Sequence, residues 1–428
     1  MIWRCGSVGM RGKRLLLAGG TNCIREILEF ARENGIVLIA AGNIGDTALK
    51  RCADEQYDVD TSDVDAMVKF GKEARIDGIF AGGNETNIAA AIRIAGKLGL
   101  PYYCDLEQWN TLMNKESFKS LCREYDVPVT GEYPIHTPDD LRTSGPEIRY
   151  PVVVKPVDAC NSRGVFYCSS REELAEAAER AFSLSAARRI LVEEYAAGDE
   201  VCATYTVCNG NITLSCLKVK YPVAEQEGLR NLPAVYIYPS GYLDRYLTEV
   251  NGRIIRMLES LRLRFGTLFI QSIFTSRGIR VFEAGFRPEG TNDFRYTDME
   301  NRVNHLHLLI EQALTGKVQD DPNSRDNPCF RHACCTYTMC ARGGTVASVR
   351  GLEQLQDERI MTVEQFHHPG DVIPFGQTLD QRMLRFYIRA DSMKEAAQVI
   401  DKIQDTVTVC DENGRSILFP GYDTSGLA

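Results

Sequence analysis

Gln271, Glu283 and Arg287 fall within one short stretch and are the residue types that together hold a metal–phosphate complex. Oxygen ligands suit Mg²⁺, and a guanidinium suits anionic phosphoryl oxygens. The stretch is Gly266–Asn292, in which two apolar runs, Leu268–Phe274 and Ile279–Glu283, flank Ser276-Arg277-Gly278. Alternation broken by a glycine-containing turn predicts a β-hairpin. Gln271 then sits inside the first strand and Glu283 ends the second. The plain structural alternative is a half-buried Glu283–Arg287 ion pair, since such pairs are common.

A second set of residues is cationic. Tyr150–Pro156 reads as a β-branched strand that delivers Lys155 to its end, a costly placement unless an anion receives the charge. Directly after it, Val157–Val165 combines small polar residues with Ser162, Arg163 and Gly164. Such a loop can aim backbone N–H groups and a cation at phosphates, although the GxxxxGK[ST] pattern is missing. Lys115 and Lys119 lie on a short helix opening at Asn114, where a lone lysine such as Lys119 reads as solvated surface. Ile190–Tyr195 is a strand running into Glu193 and Glu194, with Gly198-Asp199-Glu200 just beyond.

These side chains need elements to carry them. Residues 13–110 alternate strands (Arg14–Ala18, Ile36–Ala41, Asp77–Ala81) with helical patterns, which implies a parallel sheet with ligands at the strands' carboxyl ends. The first turn, Gly19-Gly20-Thr21-Asn22, is not GxGxxG, so a dinucleotide fingerprint is absent. Glu85 follows the third of these strands, as a ligand carboxylate or equally as a helix-start acid. Further on, Asn209-Gly210 is a two-residue hairpin turn, 220–242 is long and irregular, and Leu247–Leu263 is an amphipathic helix. From about residue 325 a mixed strand–helix unit runs to the end of the chain. Adjacent His367 and His368 would face opposite sides of a strand and make no catalytic pair.

Composition sets limits. The chain has 428 residues, enough for two to four compact units, and a net charge of −9, which argues against nucleic-acid or anionic-membrane binding. No apolar run approaches the roughly 20 residues of a membrane span. The first residues lack a signal-peptide core, and Met10 is an alternative start to Met1. Fifteen scattered cysteines, an odd number, read as reduced thiols and favour the cytoplasm. Cys329-x-x-His332-x-Cys334-Cys335 lacks the spacing of a zinc site.

The order of these features resembles the ATP-grasp superfamily, in particular its carbamoyl-phosphate-synthetase-like and L-amino acid ligase-like members, over nearly the whole chain. The resemblance implies an α/β (α+β) fold: a Rossmann-like domain over 1–111, an ATP-grasp domain over 112–324 with a lid over about 128–192, and a C-terminal α+β subdomain over 325–428. It implies that Lys115 and Lys155 grip ATP phosphates under the lid loop with Ser162, Arg163 and Gly164. Glu193, Glu194 and Tyr195 would form the adenine hinge, Glu200 would meet the ribose, Gln271 and Glu283 would hold Mg²⁺ (or Mn²⁺), and Arg287 would stabilise the reacting group. Arg287, Lys155 and Arg163 are then the catalytic candidates. One position departs from the family's ExNxR pattern: Gly285 stands where an asparagine would complete a second metal site, with water, a substrate oxygen or the nearby Asn292 as substitutes.

The implied chemistry is ATP-dependent joining of a small carboxylate, such as an amino acid, to an amine through an acyl phosphate. ADP and phosphate are released. The partners are small molecules, with neither nucleic acid nor membrane, and a homodimer is compatible. Two rivals stand beside this reading: a regulatory ATP-binding protein, and a bicarbonate-using carbamoyl-phosphate-forming or carboxylase-type enzyme.

Overall fold

A computed structural model describes residues 9–19, 23–42, 48–141, 147–158, 164–223, 232–376 and 379–427. The expected loop residues Ser162 and Arg163, and Glu225, Glu227 and Arg230 of the long irregular segment, lie outside the described residues.

The mixed α/β class expected from the sequence is what the structure has. Strands β1 (Arg14–Ala18), β2 (Val37–Gly42), β3 (Glu55–Asp58) and β4 (Gly78–Phe80) form a parallel sheet ordered β3-β2-β1-β4. Their apolar runs are buried because helices cover the sheet, as parallel sheets require. Beyond β4 the chain turns at Gly82 and enters the helix Glu85–Leu98, where Asn84, not Glu85, is the cap: its side chain accepts from the Asn87 N–H.

A small antiparallel sheet comes next, built from β5 (Glu132–Tyr133), β6 (Val152–Pro156), β7 (Phe166–Cys168) and β8 (Ile190–Glu194), in the order β5-β8-β6-β7. With the helix Arg171–Leu184 it encloses its own core of Ile135, Val152, Val154, Leu174, Ala178 and Val192.

The third sheet has eight strands. They are β9 (Gly198–Cys208), β10 (Asn211–Pro222), β11 (Pro233–Tyr238), β12 (Phe265–Thr275), β13 (Gly278–Gly285), β14 (Ala333–Cys340), β15 (Ile360–Gln365) and β16 (Arg382–Ala390). Their order is β13-β12-β9-β10-β11-β14-β16-β15, so this one sheet continues past residue 325 into the C-terminal part of the chain. Asn209 and Gly210 turn β9 into β10 with positive φ at both positions (54° and 88°), the backbone a tight hairpin needs. The expected helix 247–263 is interrupted: Leu243–Tyr246 is α-helical, Leu247–Asn251 is a π turn, and Gly252–Ser260 is α-helical again.

One face of the large sheet is apolar and packs into the main core with Val201, Ala203, Leu217, Val219 and Ile270. On the other, directly opposed residues place polar side chains in a row: Glu283 against Gln271, Gln271 against Cys202, Cys202 against Lys218, and Lys220 against Glu200 and Tyr236. The row continues through Thr336 and Tyr387 to Arg385, which opposes both Thr338 and Glu364.

Candidate active site

The hairpin β12–β13 is present, and its register sets Gln271 directly opposite Glu283. Their side chains therefore share one face at cross-strand distance. Glu283 does not pair with Arg287, the alternative the sequence left open. Its Oε1 lies 3.3 Å from Nζ of Lys115, the first residue of the helix Lys115–Glu124. Asn114 caps that helix by accepting from the Glu116 and Ser117 N–H groups, which fixes where Lys115 leaves the backbone. Among the described residues no three His, Cys, Asp or Glu side chains converge as a metal cage. An amide and a carboxylate side by side instead match the needs of Mg²⁺, which takes one or two protein oxygens and completes its shell with phosphates and water.

Lys155 is the penultimate residue of β6 and is 5% exposed. Its Nζ lies 2.9 Å from Glu193 Oε2 on the neighbouring β8 and 5.6 Å from the centre of the Phe282 ring. Burial holds its pKa below the ordinary lysine value, against the pull of Glu193. Lys119 corrects the sequence reading. It is fully buried, not surface, and its ammonium contacts Glu193 Oε1, Thr130 Oγ1 at 2.6 Å and Glu132 Oε1 at 3.2 Å. Burial alone would raise the Glu193 carboxyl, but Lys155 and Lys119 outweigh it and hold it below the usual carboxylate range. With both oxygens of Glu193 taken by lysines, its side chain is committed to the triad. Glu194, the next residue, is exposed, and Tyr195 stacks edge-on to Tyr167 at 5.9 Å. Glu200 pairs with Lys220 at 2.7 Å.

Arg287 meets Glu85 of the parallel-sheet domain, with Nη2 and Nε at 2.9 and 3.1 Å from Oε1. Glu85 is thus an ion-pair partner that ties the turn after β4 to the hairpin. The Arg287 guanidinium also lies 5.0 Å over the Phe269 ring. That ring explains Gly285. The two residues are opposite in register, and a Cβ on Gly285 would sit 2.2 Å from Phe269 Cζ. The ring fills the space an asparagine side chain would need. Asn292 offers no replacement, because its amide is engaged elsewhere, with Glu364 at 2.7 Å and Cys23 at 3.0 Å.

The sequence reading missed the centre of the polar face. Lys218 is fully buried and bonds Asp293 through both oxygens (2.9 and 2.8 Å), Thr291 Oγ1 at 2.5 Å, and Glu289. Tyr238 donates to Asp293 at 2.7 Å. Lys218 and Lys220, two apart in an otherwise apolar strand, carried the signal: period-2 alternation puts both on one face. The thirteen cysteines described are all free thiols. His367 bonds the Asp380 carbonyl at 2.7 Å, apart from these groups.

Comparison with known proteins adds independent findings. Residues 124–250 match the family model "D-ala D-ala ligase C-terminus". An L-amino acid ligase from Bacillus licheniformis is similar in structure, with TM-score 0.79 and 18% identity over 94% of this chain and 100% of that one. A phosphoribosylglycinamide synthetase from Anaerococcus prevotii gives TM-score 0.72 at 16% identity, covering 93% and 99%. A biotin carboxylase–β,γ-ATP complex from Campylobacter jejuni gives 0.73 at 14%, covering 93% and 92%.

Proposed function

We infer that this chain, which has the ATP-grasp fold, is an ATP-dependent carboxylate–amine ligase working through an acyl phosphate. The observation that supports this most is the meeting of Lys115, Lys155, Gln271, Glu283 and Arg287 between the lid sheet and the hairpin.

Carboxylates are poor acyl donors because oxide is a poor leaving group. Phosphorylation turns that oxygen into phosphate, and the protein's task is alignment and charge neutralisation. In our reading Lys115 and Lys155 take the phosphates and Arg287 faces the transferring group. Gln271 and Glu283 would hold Mg²⁺, which would offset phosphate charge when bound. The lysines and carboxylates neutralise one another, Lys115 with Glu283 and Lys155 with Glu193. Loading Mg-ATP then exchanges partners instead of exposing bare charges. The unit of residues 135–192, with its separate core, serves as the lid that keeps water from the acyl phosphate. The backbone of Glu194 and Tyr195 is left for the adenine, since the Glu193 side chain is occupied.

A small amino acid or similar carboxylate and an amine are the proposed substrates, in the cytoplasm. The test is a phosphate-release screen of amino acid pairs, uronic acids and bicarbonate with Mg-ATP. Release that needs both a carboxylate and an amine supports the ligase. Release with bicarbonate alone points to the carboxylase class. Gly285, with Phe269 in the asparagine's space, favours one other reading, a nucleotide binder without chemistry, which would bind ATP yet release phosphate with no pair.

A further inference from the structure

The polar face holds a second cationic group that the roles above leave unused. Arg382 and Arg385 stand on β16, with their guanidiniums 4.6 and 5.3 Å from the centre of the Phe366 ring. Arg385 is almost wholly buried. Its Nη1 donates to the Gly290 carbonyl at 2.6 Å and lies 3.5 Å from Glu364 Oε2, while its buried Nε meets no acceptor among the described residues. Arg382 is held by one contact, Nε to the Leu379 carbonyl at 2.7 Å, with no ion-pair partner among the described residues. Burial and the adjacent Arg385 push its pKa down to about 10, against the pull of Tyr236, Cys340 and Glu364.

Glu364 cannot neutralise this group alone. It is shared with Arg295, whose other partner is Glu26. Among the described residues Glu364 is the one carboxylate within ion-pair distance of Arg385, and none lies that close to Arg382. Two like charges side by side and largely out of water are costly unless a further anion completes the set. The pair is linked to the segment that carries Arg287: Gly290, whose carbonyl Arg385 holds, lies three residues beyond it.

We propose that one of the two co-substrates carries a second anionic group, a carboxylate or a phosphate, which docks on Arg382 and Arg385 against Phe366. The proposal rests on the ligase reading and adds a substrate class to it: a molecule with its reacting group near Arg287 and a distal anion on the arginine pair. Planar guanidinium forks accept either carboxylate or phosphate bidentately, and the ring face holds their planes in place.

The test titrates the full-length protein, saturated with Mg-ADP, with glutarate and separately with inorganic phosphate, by calorimetry. At least one anion should bind the wild type and raise its unfolding temperature. R382Q should weaken that binding about 10- to 100-fold, as expected for one charge-assisted contact, and R382K should fall between. Glutarate binding alone identifies a dicarboxylate, and phosphate binding alone a phosphorylated substrate. Binding of neither anion to the wild type, or equal binding to R382Q, overturns the proposal. Turnover of a pair that carries a second anionic group with wild-type kinetics in R382Q would also remove the anion site while leaving the ligase reading intact.

Discussion

At the residue scale, Lys115, Lys155 and Arg287 each already have an anion, and the pairing ranks the roles. Lys155 is the buried cation near the end of β6, facing Glu193 and Phe282. Lys155→Ala should lower turnover about 100-fold or more, the usual effect of removing a charge that stabilises a transition state. Steady-state phosphate release checks this, and near-wild-type turnover would remove Lys155 from the mechanism. Gly285 makes a structural prediction. Gly285→Asn must displace the Phe269 ring, at a cost of roughly 1–3 kcal/mol from overpacking. Combining it with Phe269→Ala should recover part of that loss in denaturant titrations, because the two residues share one space. The hairpin that carries Gln271 and Glu283 was legible from sequence, but their pairing was not: the turn's own register would set Gln271 opposite Phe282, and a bulge between Gln271 and Ser272 shifts it to Glu283. The Phe269 ring above Gly285 was not legible either, since composition does not tell which of several apolar residues opposes a glycine.

At the element scale, the helix Lys115–Glu124 carries the site's least expected feature. Lys115 and Lys119 are four residues apart, so they share one helix face, and both are buried. Like charges in that arrangement repel, and here each is met by a carboxylate from another element: Glu283 on the hairpin, and Glu193 with Glu132 on the small antiparallel sheet. Helix periodicity identifies the shared face, but nothing local reveals that Glu193, 74 residues away, receives Lys119. That is why the sequence reading left Lys119 on the surface. The triad also sets a pH dependence. Because the folded-state pKa of Glu193 is depressed, its stabilisation is present above the unfolded carboxylate value and is lost as pH falls through the folded value. Glu193→Gln should therefore lower stability at about pH 7 by roughly 3–5 kcal/mol, since two buried ammonium groups lose their counter-charge. The gap from wild type should close as the pH falls below the ordinary carboxylate range and through the folded value, where wild-type Glu193 takes up its own proton. Thermal unfolding across that range checks both parts, and a gap independent of pH would mean that the Glu193 charge is not what matters.

At the scale of the whole molecule, three sheets converge on one polar face. The strand–helix alternation of the first hundred residues and the hairpins of the middle were legible because their periods differ and their turns are marked by glycine and asparagine. The continuation of the eight-stranded sheet through β14, β16 and β15 was not, because it depends on β11 pairing with β14, where Tyr236 opposes Thr336, and so distant a pairing leaves no local trace. For the same reason the Lys218–Asp293 cluster and the Arg382–Arg385 pair emerged only when the strands were set side by side. Glu85, on the parallel-sheet domain, closes the arrangement by holding Arg287 toward the turn after β4. The central claim is that the carboxylate oxygen is phosphorylated on this face. Its most direct test uses a carboxylate substrate labelled with oxygen-18, taken from the phosphate-release screen, with mass analysis of the phosphate released. The account predicts that the label moves from carboxylate to phosphate in step with amide formation. Amide formed with unlabelled phosphate, or with release of AMP in place of ADP, would contradict it.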